Sequence, residues 1–236
     1  MYYWNRDNFE GLKAVGDKYS ALEGYELFGK YCLQKEQGLK KQANATVNEF
    51  VTRCKNQPLA EQRMIAVELL SLGYWNREIH QLLAYPVIAF LKELLAQWVV
   101  EEPNNAIPHR WLGYINEDIT SYERALELDP TDEISLTQVV ILYLKSVDFQ
   151  THHLSESILL GDMIRAKNLL SSAQLLNNRV QAGDIKLTLQ KSLDYYQGLL
   201  NCWEEYSSLG VVEPFPDWCA AKGEQFDFWS VIYYQR

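Results

Sequence analysis

Between Pro86 and Pro103 the chain places Ile88, Leu91, the adjacent pair Leu94 and Leu95, and Trp98 at steps of three or four residues, the spacing that aligns side chains along one face of an α-helix. The same recurrence runs through Leu22, Tyr25, Phe28, Tyr31 and Cys32, through Ala43, Val47, Phe50 and Cys54, and through Ile65, Leu69 and Leu72. It returns in Leu136, Val139, Val140 and Tyr143, and again in Ile185, Leu189, Leu193, Tyr196, Leu200 and Trp203. No segment before Gly210 alternates with a period of two, so the expected fold class is all-α, a stack of antiparallel helical hairpins built from roughly nine or ten helices.

Glycine and proline punctuate this pattern. A short first helix is expected to stop near Gly16, a second to run from about Ser20 to Lys35 before the break at Gly38, and a third from Leu39 to Lys55. Pro58 opens the next, with Gly73 as its stop. A shorter helix over 77–84 is expected to end at Pro86, and the next runs from Val87 to Val100. Thr131 or Asp132 supplies a cap for the helix containing Ile134 and Leu136. Beyond it one helix is expected from near Ser155 to Asn177 and Asn178, and a long one from Asp184 to Ser208 with Gly210 as its stop.

The stretch from Glu101 to Leu136 carries the most specific pattern. Pro103 is followed by Leu112 and Gly113, and then by Tyr122, Ala125 and Pro130. In this order and spacing the stretch resembles a degenerate tetratricopeptide repeat, in which two antiparallel helices must stack on neighbours to bury their shared apolar face. A weaker echo lies over 161–178, where Ala166, Leu170 and Ala173 repeat the small-large-small spacing and Asn178 stands where the proline would be. The departure is in the period. Pro103 and Pro130 are 27 residues apart, against about 34 in the family, so roughly two helical turns are missing while the apolar face stays in phase. The resemblance implies a helical-repeat fold, an α-solenoid, whose work is to bind another protein.

A chain of 236 residues is long enough for one elongated all-α domain. Within it 1–100 would form N-terminal hairpins, 101–210 the repeat-like region and 211–236 an aromatic tail. No apolar run approaches the ~20 residues that span a bilayer, and MYYWNRDNFEGL lacks the basic-then-apolar layout of a secretory signal. A cytoplasmic protein is the expectation. Of the net charge of −9, residues 1–100 contribute almost nothing, with 12 basic and 11 acidic side chains, whereas 101–236 carry 10 basic and 20 acidic. Such a field repels nucleic acid and anionic membrane and raises encounter rates with basic partners.

Chemistry leaves few marks. There is no GxxxxGK[ST], GxGxxG, GxSxG or HExxH. Cys32, Cys54, Cys202 and Cys219 form no CxxC pair and read as buried free thiols. His80 and His109 stand alone, and His152 and His153, if helical, diverge by about 100°. Neighbouring carboxylates such as Glu117 and Asp118, or Glu204 and Glu205, separate around a helix axis. Neither a metal, nor a cofactor, nor catalysis is expected.

The sequence therefore points to a non-enzymatic module that binds a basic protein, and neither nucleic acid nor membrane, through an acidic helical surface. Because the motif's Leu112, Gly113, Tyr122 and Ala125 must face inward, the candidate contacts are Glu101, Glu102, His109, Arg110, Glu117, Asp118, Glu123 and Glu127. Neutralisation of a basic toxin, in the manner of an immunity protein, is a sharper version of the same reading. A sensor whose pocket is lined by Trp75, Trp111 and the tail aromatics is the alternative, with an enzyme of unrecognised site as a third class. The tail, holding Phe215, Trp218, Phe226, Phe228, Trp229, Tyr233 and Tyr234, is expected to fold back as a cap, with a ligand-lining role as the competing reading. The oligomeric state is left open.

Overall fold

The computed structural model describes residues 6–228, and among these the chain is all-α, with eleven α-helices, one 3-10 turn and no strand. It divides into two compact units, Met1–Ser121 and Tyr122–Arg236, with the division inside a helix of the Glu101–Leu136 stretch.

The first unit is built from α1 (Arg6–Ser20), α2 (Glu26–Glu36), α3 (Lys40–Lys55), α4 (Leu59–Trp75), α5 (Tyr85–Glu101) and α6 (Ala106–Asn116). Each packs mainly on its neighbours in sequence, and α3 also reaches α5. Ion pairs show the directions. Arg53 near the end of α3 meets Glu26 at the start of α2 at 3.7 Å, so the two helices are antiparallel. Arg63 near the start of α4 likewise meets Glu101 and Glu102 at the end of α5. Leu12, Tyr19, Phe28, Tyr31, Phe50, Leu69, Leu70 and Leu91 form the fully buried interior. The rings of Tyr19, Phe28 and Phe50 meet in sequence at 5.5–5.6 Å.

Two glycines expected to stop helices do something else. α1 runs on through Gly16 to Ser20, because Gly16 lets Leu33 of α2 approach to where a Cβ would be only 2.7 Å from its side chain. α4 likewise continues through Gly73 to Trp75, with Leu83 pressed against the glycine. Gly38 does end its helix, at φ +75°, a conformation costly for any residue with a Cβ. The expected helix over 77–84 is a series of turns. Ile79 and Leu82 are buried there, and the Gln81 backbone is tied down, its N–H donating to Asn8 Oδ1 (3.2 Å) and its carbonyl accepting from the Tyr31 hydroxyl (2.6 Å).

In the second unit α7 (Ile119–Leu128), of which residues from Tyr122 onward belong here, is followed by α8 (Glu133–Thr151), α9 (Met163–Asn177), α10 (Gly183–Leu209) and α11 (Phe215–Ala221). Asp132 caps α8 by accepting from the N–H groups of Ile134 and Ser135. Lys167 at the start of α9 pairs with Glu204 near the end of α10 at 2.6 Å, so these helices are antiparallel. Glu133 at the start of α8 accepts from Gln181 and Ala182 just before α10, which sets α8 and α10 parallel. The three helices share one core of Val140, Val147, Ala166, Leu170, Ala173, Leu193 and Leu200. Its members Ala166, Leu170 and Ala173 are the small-large-small echo of the sequence.

No helix starts at Ser155. A 3-10 turn, Leu154–Glu156, is followed by irregular chain up to Asp162, which caps α9. The Ser157 hydroxyl accepts instead from the N–H of Phe215, at 2.8 Å, and so helps seat α11. Phe215, Trp218 and Cys219 are buried against Leu154 and Leu199, with Trp203, Tyr206, Phe226 and Phe228 around them. The tail thus folds onto α10 as an aromatic cluster. Trp229, Tyr233 and Tyr234 lie outside the described residues.

Candidate functional site

Within the Glu101–Leu136 stretch the apolar and polar residues separate as the motif requires. Trp111, Gly113, Tyr122, Ala125 and Leu126 are buried and Leu112 is half-buried, whereas Pro103 and Pro130 lie in exposed turns. The two helices, α6 and α7, are only 11 and 10 residues long. Glu117 ends α6 in the left-handed conformation at φ 50°, and Asp118 then opens α7 by accepting from Thr120 N and from both Ser121 N and Oγ. Those bonds, with the Ser121 hydroxyl foremost, hold the Asp118 carboxyl below its usual range.

The eight expected contact residues fall in both units. Glu101, Glu102, His109, Arg110, Glu117 and Asp118 belong to the first, and Glu123 and Glu127 to the second. Glu101, Glu102, Glu117, Glu123 and Glu127 are all exposed. Several are nevertheless engaged inside the chain. Arg63 spans Glu101 and Glu102 (2.6 Å to the latter) with its guanidinium 4.9 Å from the Trp98 ring. Asn105 also donates to Glu102 at 2.8 Å and contributes most to lowering its pKa. Glu127 pairs with Arg124 at 2.7 Å, and Glu123 accepts from the Tyr143 hydroxyl at 3.0 Å. Burial first, and Glu123 second, push the Tyr143 phenol up to about 12. Arg110 lies 5.0 Å from the Trp111 ring, and His109 Nε2 is 3.4 Å from the Pro103 carbonyl. Solvent screens the exposed carboxylates, so pairs of this kind add little to stability.

Another surface of the first unit went unsuspected in the sequence. A groove of about 710 Å³ opens between the turn that leads into α2, the end of α3 and the first half of α4. Leu22, Tyr25, Met64 and Ile65 supply its apolar lining, and Glu23, Glu61 and Glu68 its carboxylates. Met64 is 57% exposed and Leu22 39%. Among the described residues Arg53 is the one cation lining it, and it is the partner of Glu26. Glu68 accepts from the Tyr19 hydroxyl, and the Tyr25 phenol is pushed up to about 12, by burial first and then by the Glu68, Cys54 and Glu61 charges. The signal that marked this groove was Met64. α4 is apolar on more of its circumference than its buried residues Ala66, Leu69, Leu70, Gly73 and Tyr74 require.

In the second unit a cavity of about 370 Å³ lies beside Asp148, Lys191, Tyr195, Tyr196, Asp227 and Phe228. Tyr196 donates to Asp148 (2.7 Å) and Tyr195 to the Asp227 carbonyl (3.2 Å), so both phenols are satisfied internally. The residues expected to line a sensor pocket are dispersed in burial. Trp111 is in the core and Trp75 is 61% exposed, while Phe215 and Trp218 are buried in their own cluster. His152 and His153 do not diverge on a helix, because α8 ends at Thr151. Past that end their rings stand 4.3 Å apart, His152 Nδ1 bonded to the Phe149 carbonyl and His153 Nδ1 to Glu156. Among the described residues no three His, Cys, Asp or Glu side chains are grouped to hold a metal ion, and no helix is long and apolar enough to cross a membrane.

No protein-family model matches this chain, and neither a curated protein nor a solved structure matches it.

Proposed function

We propose that this chain is a non-enzymatic protein-binding module that captures a basic protein through carboxylates displayed on its helices. The observation that carries the reading is the exposure of Glu101, Glu102 and Glu117 with Trp111 buried in the first unit, and of Glu123 and Glu127 with Tyr122, Ala125 and Leu126 buried in the second. With these apolar side chains turned inward the carboxylates remain on the surface, and in a chain of net charge −9 they attract cations. The resemblance to tetratricopeptide repeats supports the same kind of work.

The test is capture from the source-cell lysate by the immobilised protein at physiological salt and at about 0.5 M salt, where surface charges are screened within a few ångströms. One basic protein retained at low salt and lost at high salt is expected. Glu123→Lys combined with Glu127→Lys is expected to weaken its affinity about fivefold or more by reversing local charge. Capture of nothing at either salt, or capture indifferent to salt and to these substitutions, would remove the proposal.

A further inference from the structure

We infer that the groove between the α1–α2 turn, α3 and α4 is the docking site for a cationic amphipathic segment of the partner protein, a deepening that rests on the function proposed above. Two properties of the groove select this occupant. Leu22, Tyr25, Met64 and Ile65 give it an apolar lining, and Met64 and Leu22 keep much of their surface in water. A flexible, polarizable methionine suits such a role, because it adapts to differently shaped apolar side chains. Glu23, Glu61 and Glu68 supply the charge, against Arg53 among the described lining residues, and Arg53 is shared with Glu26.

Apolar lining and acidic edge together fit a helix or strand that presents leucine-like side chains on one face and lysine or arginine beside them. An acidic segment is repelled by the carboxylates and a purely polar one gains nothing from the lining, so the groove selects as well as attracts. The raised Tyr25 phenol fits the same picture, since burial and the Glu68 and Glu61 charges both disfavour a further anion there. The groove lies wholly within the first unit, outside the eight contacts expected from the sequence.

The probe is a fluorescein-labelled synthetic peptide of leucines and lysines patterned as an amphipathic helix, followed by anisotropy at physiological salt. Glu61→Lys with Met64→Gln is the groove variant, which changes the net charge by the same amount as the control. Both positions are exposed, and circular dichroism checks that the helices persist. Glu49→Lys, on an exposed position of α3 that does not line the groove, is the control for charge alone. The groove variant is expected to weaken peptide binding about tenfold or more, while Glu49→Lys changes it less than about twofold. Equal weakening by groove and control variants would mean diffuse attraction and would overturn the site, as would wild-type protein that ignores the peptide. Capture of a basic partner that survives the groove substitutions would also overturn the site while leaving the wider function standing. Absence of any captured partner would sink both.

Discussion

Arg63 shows how a single side chain can be worth more than its charge. Its guanidinium joins Glu101 and Glu102 and lies over Trp98, so it ties the start of α4 to the end of α5 by two ion pairs and a face of aromatic surface. The carboxylates are too exposed for the pairs to contribute more than a fraction of a kcal/mol each, but the side chain itself is only 16% exposed and its stem is packed. Arg63→Ala is expected to destabilise the protein by about 1–2 kcal/mol in urea denaturation, with Arg63→Lys recovering only part of that, because lysine lacks the planar fork. A loss under about 0.3 kcal/mol would mean that the arginine merely rests on the surface. At this scale the Glu101–Leu136 stretch was read correctly for burial and poorly for engagement. Glu101, Glu102, Glu123 and Glu127 were recognisable as outward-facing from the spacing of their apolar neighbours, but nothing local announces that Arg63, 38 positions before Glu101, claims two of them.

At the scale of the element, glycine separates what was legible from what was not. Gly38 and Gly210 were read as stops and both adopt positive φ. Gly16 and Gly73 look the same in sequence, yet sit inside helices because the next helix or turn, through Leu33 and Leu83, presses on them, and that pressure exists only once the chain has folded back. Gly29 is the tightest of these contacts. A Cβ there would lie 2.2 Å from the Ser20 nitrogen and 2.7 Å from its Cα, backbone that cannot yield without moving the end of α1. Alanine normally gains about 1 kcal/mol over glycine inside a helix, but here overpacking dominates. Gly29→Ala is expected to lower stability by about 2–3 kcal/mol, read from the denaturation midpoint. An unchanged or raised midpoint would show that α1 and α2 separate without cost. The groove escaped notice for a related reason. Leu22, Tyr25 and Ile65 fit a buried helical stripe, and only assembled helices reveal which of those residues remain open to water.

For the whole molecule, the tyrosines give a collective handle. Burial pushes Tyr25 and Tyr143 up to about 12, and Tyr19, Tyr31 and Tyr196 higher still. An acid whose folded pKa lies above its unfolded value of ~10 prefers to stay neutral in the fold. The fold therefore suffers no penalty below pH ~10 and loses stability as the pH climbs from there through about 12. At least these five of the 15 phenols are expected to stay neutral, by phenolate absorbance, until helical circular dichroism collapses. All 15 titrating near pH 10 with the helices intact would contradict the buried phenols.

The neighbour-to-neighbour packing of the first unit also bears on how the protein folds. Its principal helix pairings join elements no more than two places apart in the chain, from α1 with α2 to α4 with α6. Contacts so close in sequence form quickly and in order, since little loop-closure entropy stands between them. The hairpins of this unit are therefore expected to pair early in refolding, with the longer ties of Asn8 and Tyr31 to Gln81 closing after them.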